Sequence, residues 1–153
     1  MFNNIIVSCV GNICRSPMAE ALLNERFKQS SKSSVSVSSA GIGALVGYPA
    51  DPLAQSIMLE KKRIDISSHR ARQATLEILL DADLILVMEK EQQRNIELMF
   101  ASLCGRVHRI GMWGDFDVPD PYRMGKVAFE QAFDLIAQGV DAWFAKLIQA
   151  TVV

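Results

Sequence analysis

The sequence predicts an α/β fold in which helices cover both faces of an open parallel sheet. Short aliphatic and β-branched runs alternate with segments whose apolar residues recur at helical spacing, and no repeat or low-complexity segment interrupts the alternation. Parallel strands require crossover connections, which helices usually supply. The chain has 153 residues, and residues 1–153 are expected to form one domain.

The expected elements follow from the spacing of apolar residues and from the residues that cap helices. Strands are predicted over residues 5–8, 35–38, 84–88 and 107–110. The first helix is predicted to begin with Ser16 as N-cap and Pro17 as its first residue, because these residue types are favoured there. Further helices are predicted over residues 51–62, 75–80 and 89–103, and a long last helix carries Phe129, Phe133, Ile136, Val140, Phe144 and Leu147 on one face.

Charge and composition exclude several classes of protein. A formal net charge of -1 creates no field that would attract nucleic acid or an anionic membrane. The first residues lack the basic and apolar regions of a signal peptide, and the apolar run 84–88 is too short to cross a bilayer. Three cysteines argue against a secreted disulfide framework. We therefore expect a cytoplasmic protein with no nucleic-acid partner and no membrane insertion.

The segment 9–16 carries the strongest chemical signal. It places the thiol of Cys9 and the guanidinium of Arg15 six positions apart, between a strand and a helix. A loop of this length can turn successive backbone N–H groups inward, and the helix N-terminus adds positive potential, so the segment is expected to bind phosphate. The predicted phosphate-binding residues are Val10, Gly11, Asn12, Ile13, Cys14 and Arg15.

The same surroundings suit nucleophilic catalysis by Cys9. Helix N-termini and nearby cations favour the thiolate over the thiol. The planar fork of Arg15 matches two oxygens of a transferring phosphoryl group. The hydroxyl of Ser16 could stabilise the sulfur, although a capping role alone would explain a serine there.

An Asp-rich loop, residues 111–125, supplies candidates for the proton donor that a phosphate ester needs at its leaving group. Of Asp115, Asp117 and Asp120, only Asp120 precedes a proline, which restricts it to an extended backbone. Tyr122 is placed to stack on an aromatic substrate. From spacing alone, a simple turn is the commoner explanation of Asp120 and Pro121.

In these motifs the chain resembles the low-molecular-weight protein tyrosine phosphatases, over essentially its whole length. Residues 9–17 match the family's signature loop, and residues 120–122 match its acid loop. Residues 39–41 and 68–73 resemble further family segments in the expected order. The resemblance implies a three-layer fold in which helices cover both faces of a four-stranded parallel sheet.

The resemblance also implies roles for individual residues. Cys9 would be the nucleophile, Arg15 the phosphate ligand and Ser16 the partner of the thiolate. Asp120 would act first as acid and then as base. Cys14 would form a reversible disulfide that protects Cys9, although packing alone would also explain it. The residues that would support the loop are Asn12, Ser39 and His69.

Within the family, residues 1–5, 43–47 and 83–90 resemble the bacterial branch that dephosphorylates tyrosine autokinases governing capsule or exopolysaccharide export. The implied partner is the phosphotyrosine-bearing C-terminal tail of such a kinase, and a monomer is expected. Arg123 departs from the animal members, which usually have a second tyrosine there. A basic residue suits an acidic, multiply phosphorylated peptide, while an isolated surface arginine is the commoner explanation.

Other residues complete the expected site, and two rival functions stay open. Cys104 and Trp143 are expected to be buried. Neither histidine has ligand spacing from a cysteine pair, so no metal and no cofactor are expected. The rivals are an arsenate reductase on the same fold, which would need further cysteines, and a non-catalytic phosphotyrosine-binding module. The predicted wall of the substrate pocket consists of Leu45, Tyr48, Trp113 and Tyr122.

Overall fold

Four parallel strands form a single sheet in the computed structural model, which describes residues 2–32 and 34–150. The strand order is β2-β1-β3-β4, with β1 and β3 at the centre. This arrangement confirms the predicted α/β fold with its four-stranded parallel sheet. The strands are β1 (Asn4–Cys9), β2 (Ser36–Gly41), β3 (Leu84–Val87) and β4 (Val107–Arg109).

Helices connect the strands and cover both faces of the sheet. The α-helices are α1 (Arg15–Lys28), α2 (Pro52–Lys62), α3 (Leu76–Leu80), α4 (Lys90–Met99) and α5 (Lys126–Ala150), and short 3₁₀ helices span Ala101–Leu103 and Met112–Gly114. None of the helices in residues 2–32 and 34–150 is both long enough and apolar enough to cross a bilayer.

Alternate side chains of the central strands point into two separate cores. On β1, Ile5 and Val7 pack with the residues of α1, α2 and α5, whereas Ile6 packs on the other side with residues of α3 and α4. On β3, Leu86 joins the first core and Ile85 the second. Both faces are therefore buried, which explains why these strands are continuously apolar and not alternating.

Three predicted boundaries and one predicted burial are wrong. Strand β2 continues to Gly41, three residues beyond its predicted end. Helix α1 begins at Arg15 with Cys14 as its N-cap, so Ser16 lies inside the first turn and its hydroxyl is free for another role. Helix α4 ends at Met99, because Phe100 leaves the helical region of backbone space and a 3₁₀ turn follows. Cys104, expected to be buried, follows that turn and is exposed.

Gly139 of α5 lies against the backbone at the end of β4, and this contact leads to a stability prediction. A Cβ atom at position 139 would come 2.5 Å from the carbonyl oxygen of Ile110. Alanine is favoured over glycine in helices by about 1 kcal/mol, but overpacking a buried contact costs about 1–3 kcal/mol. We expect Gly139→Ala to lower the free energy of unfolding by up to about 2 kcal/mol.

Urea denaturation measures this difference, and Gln138→Ala, at an exposed position of the same helix, is the matched control. The control should leave stability within about 0.5 kcal/mol of the wild type. An increase in stability for Gly139→Ala would show that α5 can move away from Ile110.

Candidate active site

The loop between β1 and α1 wraps around a cavity of about 190 Å³ at the carboxyl end of the sheet. Ligands of open parallel sheets bind at this edge. Two further segments complete the walls, one after β2 and one before α5. The residues that line the cavity are Cys9, Val10, Gly11, Ile13, Cys14, Arg15, Gly43, Leu45, Asp120 and Tyr122.

Every carbonyl of residues 9–14 accepts a hydrogen bond from outside the loop. The donors, in order, are the amides of Ile42, Gly43 and Leu45, the His69 ring, and the amides of Asp51 and Met18. Because a peptide N–H points opposite to its carbonyl, outward carbonyls turn the loop amides toward the cavity. Among the residues that the structure describes, none accepts a hydrogen bond from the amides of residues 10–14. The loop therefore presents a set of unpaired donors suited to an anion.

The thiol of Cys9 is buried at the base of this loop. Its sulfur lies 2.9 Å from the Ser16 hydroxyl oxygen. That oxygen accepts a hydrogen bond from Asn12 Nδ2 at 2.8 Å, which leaves the hydroxyl hydrogen free to point at the sulfur. Ser16 can therefore donate to a Cys9 thiolate, and it does not cap the helix.

Asn12 holds the loop in shape from within the protein. Its backbone has φ 61°, a left-handed conformation that asparagine tolerates better than most residues. Its side chain donates to Ser39 Oγ at 2.9 Å and accepts from the Arg72 amide at 2.9 Å. Its carbonyl accepts from His69 Nε2 at 2.7 Å, so this ring nitrogen carries the hydrogen. The structure thus places Asn12, Ser39 and His69 together behind the loop, and Asn12 itself does not line the cavity.

Arg15 is almost completely buried, and carboxylates and a carbonyl hold its guanidinium. Nη1 donates to the Val118 carbonyl at 2.8 Å and to the carboxylate of Glu89, and Nη2 lies 3.8 Å from Asp120 Oδ2. Its Nε, also buried, has no hydrogen-bond partner among the described residues. A buried donor without a partner is costly, and an anion in the cavity would satisfy it.

Sequence reasoning did not single out Glu89. This residue follows β3, and β3 lies beside β1, so the Glu89 carboxylate reaches the same sheet edge as Arg15. An acidic residue directly after a central strand was the one available signal.

The structure separates the three aspartates of the loop before α5. Asp115 and Asp117 both pair with Arg109, at 2.8 and 3.0 Å, and do not line the cavity. The hydrogen bond from Arg109 holds the pKa of Asp115 below its ordinary value. Asp120 alone lines the cavity, with its side chain half exposed, and its Oδ1 accepts from the Tyr122 amide at 3.1 Å.

Only part of the predicted wall surrounds the cavity. Leu45 and Tyr122 line it, whereas Tyr48 is exposed and does not. Trp113 lies elsewhere, because its ring packs edge-on against Trp143, 5.5 Å between centroids, beneath the ammonium of Lys146. Trp143 is buried as expected.

Cys14 is a second thiol at the cavity, and it differs from Cys9 in its surroundings. Burial, reinforced by the nearby Asp51 carboxylate, raises the pKa of Cys14 far above its ordinary value, so this thiol stays protonated at neutral pH. Both cysteines are free thiols, and a reversible disulfide between them stays a prediction. Within residues 2–32 and 34–150, no three His, Cys, Asp or Glu side chains cluster in a way that could hold a metal ion.

Glu89 leads to a test of how Arg15 is positioned. Glu89→Gln keeps the side-chain shape but removes the charge that orients the guanidinium, and misplacement of a catalytic group can cost up to about 10²-fold. We expect kcat on an aryl phosphate to fall about tenfold. Inhibition by inorganic phosphate should not weaken, because the loss of a nearby negative charge favours anions.

Steady-state kinetics and phosphate inhibition constants separate these two effects. Glu91→Gln, an exposed position on the same helix, is the control and should behave as the wild type. An unchanged kcat in Glu89→Gln would show that Arg15 needs no carboxylate to hold it.

Comparison with known proteins agrees with this geometry. A family model described as "Low molecular weight phosphotyrosine protein phosphatase" matches residues 4–152. The chain is 50% identical over 147 residues to the probable low molecular weight protein-tyrosine-phosphatase EpsP of Ralstonia solanacearum, covering 96% of this chain and 97% of the relative. The tyrosine phosphatase Wzb from Escherichia coli K30, solved in complex with sulphate, superimposes with a TM-score of 0.88 at 37% identity over 96% of this chain and 99% of that one.

A more distant structural match has a different named activity. The YwlE arginine phosphatase superimposes with a TM-score of 0.89 at 28% identity, covering 97% of both chains. The fold therefore accommodates more than one kind of phosphorylated side chain.

Proposed function

Because the chain belongs to the low molecular weight phosphotyrosine protein phosphatase family, we propose that it hydrolyses phosphotyrosine in proteins through a covalent phosphocysteine at Cys9. The observation that carries this proposal is the position of the buried Cys9 thiol beneath inward-facing amides and the unpartnered Nε of Arg15. Residues 4–152 match the family model, and we propose that the whole chain acts as one phosphatase domain.

In the first step the Cys9 thiolate attacks phosphorus, an S–P bond forms and the bond from phosphorus to the tyrosine oxygen breaks. The oxygen leaves as a phenol, because Asp120 donates a proton to it. Asp120 suits this task by its position, because it lines the wall of the cavity that would hold the ester. The loop amides and the Arg15 guanidinium stabilise the charge on the three equatorial oxygens.

In the second step water attacks the phosphocysteine and inorganic phosphate leaves. The Asp120 carboxylate accepts a proton from the water, the S–P bond breaks and the electron pair returns to sulfur. The Ser16 hydroxyl, 2.9 Å from Cys9 Sγ, stabilises the departing thiolate.

The walls of the cavity support an aromatic ester as substrate. Ile13, Leu45 and Tyr122 present apolar surface that a phenyl ring can bury. A phosphoarginine would bring N–H donors that Ile13 and Leu45 cannot satisfy. A phosphoserine would leave the apolar wall uncovered.

For the physiological substrate we propose the phosphorylated C-terminal tail of a bacterial tyrosine autokinase. The resemblance of residues 1–5, 43–47 and 83–90 to that branch of the family supports it, as does the high identity to EpsP. Arsenate reduction has less support, because Cys104 does not line the cavity and lies instead beside Lys90, Arg94 and Arg109. A simple binding module would not need both Cys9 and Asp120.

Replacement of Cys9 tests the nucleophile. Cys9→Ser should abolish turnover of a phosphotyrosine peptide and of 4-nitrophenyl phosphate, because serine is a far weaker nucleophile here. Binding of inorganic phosphate, measured by calorimetry, should persist because backbone amides and Arg15 supply the site. Cys104→Ser is the matched control and should keep full activity.

Phosphoserine and phosphoarginine peptides of the same sequence complete the experiment, and the wild type should turn them over poorly. Retained turnover in Cys9→Ser would exclude the covalent mechanism. Preference for phosphoarginine would replace the proposed substrate class.

Replacement of Asp120 tests the proton donor. Asp120→Asn should lose about 10²–10⁴ in rate on phosphotyrosine, and less on 4-nitrophenyl phosphate, whose leaving group needs less protonation. Asp117→Asn serves as the control, because Asp117 pairs with Arg109 and does not line the cavity. Equal losses of the Asp120 variant on both esters would assign the acid to another group.

A further inference from the structure

A rim of exposed apolar side chains lies on the loop and on the two wall segments that form the active-site cavity. Three of its members, Val10, Leu45 and Tyr122, line the cavity itself, and each is more than a third exposed. The others come from the same two wall segments. The rim, as the term is used below, consists of Val10, Leu45, Val46, Tyr48, Tyr122 and Met124. Large exposed apolar groups that cluster at one place indicate a surface for a partner.

One cation interrupts this apolar rim. The Arg123 guanidinium carbon lies 5.0 Å from the centroid of the Tyr122 ring, which itself forms part of the cavity wall. The Met124 amide donates to the Pro121 carbonyl and Arg123 has φ 62°, so a tight turn sets the direction of the side chain. Stacking on the ring further limits where the charge can move.

Arg123 has no ion-pair partner in the described parts of the chain. The nearby carboxylates are already engaged, since Glu89 pairs with Arg15, Asp120 lies 3.8 Å from Arg15, and both Asp115 and Asp117 pair with Arg109. The charge of Arg123 is therefore exposed at the mouth and available to a molecule that enters it.

We infer that Arg123 is a specificity-determining residue that binds an anionic side chain one or two residues away from the phosphotyrosine. The inference rests on the proposed function, because a phosphotyrosine in the cavity sets the register of the peptide. Extended peptide advances about 3.3 Å per residue, so a neighbour of a tyrosine bound against Tyr122 comes within reach of a cation stacked on that ring.

The rim and Arg123 together define the class of peptide that fits. Apolar side chains on the peptide contact the rim, and a carboxylate or a second phosphate meets the guanidinium, which pairs with either through two parallel hydrogen bonds. A basic residue at the same position would be repelled. Exposed ion pairs change an equilibrium by a factor of about two to five, so the expected preference is of that size for a carboxylate and larger for a doubly charged phosphate.

The test compares kcat/KM for a set of peptides that contain one central phosphotyrosine and one variable residue. All other residues of these peptides are uncharged. The variable residue is aspartate, a second phosphotyrosine, lysine or an uncharged reference residue. It is placed in turn at each of the two positions before and the two positions after the central phosphotyrosine. The variants are Arg123→Met, which keeps the length of the side chain, and Arg123→Glu. Arg94→Met is the matched control, because it changes net charge equally on the outer face of α4, where Arg94 is exposed.

In the wild type we expect at least one position at which aspartate raises kcat/KM about threefold over the uncharged reference peptide. A second phosphotyrosine at that position should raise kcat/KM more. Both gains should vanish in Arg123→Met, reverse to favour lysine in Arg123→Glu, persist in Arg94→Met and fade in 0.5 M NaCl. Turnover of 4-nitrophenyl phosphate, which has no neighbouring side chain to pair with residue 123, should be unchanged in all three variants.

Three results would overturn the inference. The first is an acidic preference that survives in Arg123→Met, and the second is the absence of any preference at all four positions. The third is that Arg123→Met loses as much kcat/KM on 4-nitrophenyl phosphate as on the acidic peptides. Arg123 would then support the Tyr122 ring and would not bind the anionic side chain of the peptide. Failure of the wild type to hydrolyse any phosphotyrosine compound would instead refute the proposed function.

Discussion

The site depends above all on the hydrogen bonds of one buried asparagine. Asn12 ties the catalytic loop to β2 through Ser39, to the segment after α2 through Arg72 and His69, and to α1 through Ser16. A left-handed backbone at a residue other than glycine costs about 1 kcal/mol or more, and these contacts offset that cost. Because Asn12 is completely buried, its bonds to Ser16 and Ser39 are shielded from water. The loop amides consequently face the cavity before any anion arrives.

The buried guanidinium of Arg15 is held by partners from two other segments of the chain. A buried guanidinium needs a counter-charge, and Glu89 supplies one from the neighbouring strand β3. The Val118 carbonyl takes a second hydrogen bond, which connects Arg15 to the segment that carries Asp120. These contacts use the Nη atoms of the fork and leave the buried Nε without a partner among the described residues. Under the proposed function, Arg15 thus couples the phosphate-binding loop to the segment of the proton donor Asp120.

The inner and outer parts of the site have different tasks. The inner part, formed by the loop of residues 9–15, presents unpaired backbone donors that suit a phosphoryl group whatever the rest of the substrate. The outer part comes from the segments around Leu45 and Tyr122, whose side chains meet whatever surrounds the phosphate. Substrates can therefore change between relatives without alteration of the chemistry, since side chains at the mouth can vary while the loop stays the same.

By itself the sequence determined the sheet, most helix positions, and the strand, loop and helix order that joins Cys9 to Arg15, because these features depend on short-range spacing and local residue preference. Only the tertiary structure showed Glu89 beside Arg15, 74 residues away, and chose Asp120 over Asp117 for the cavity. It also showed that Trp113 packs against Trp143 and does not form part of the cavity wall, and that Cys104 is exposed. Contacts of this kind depend on how elements pack in space. Neither the periodicity nor the composition of any single segment contains that information.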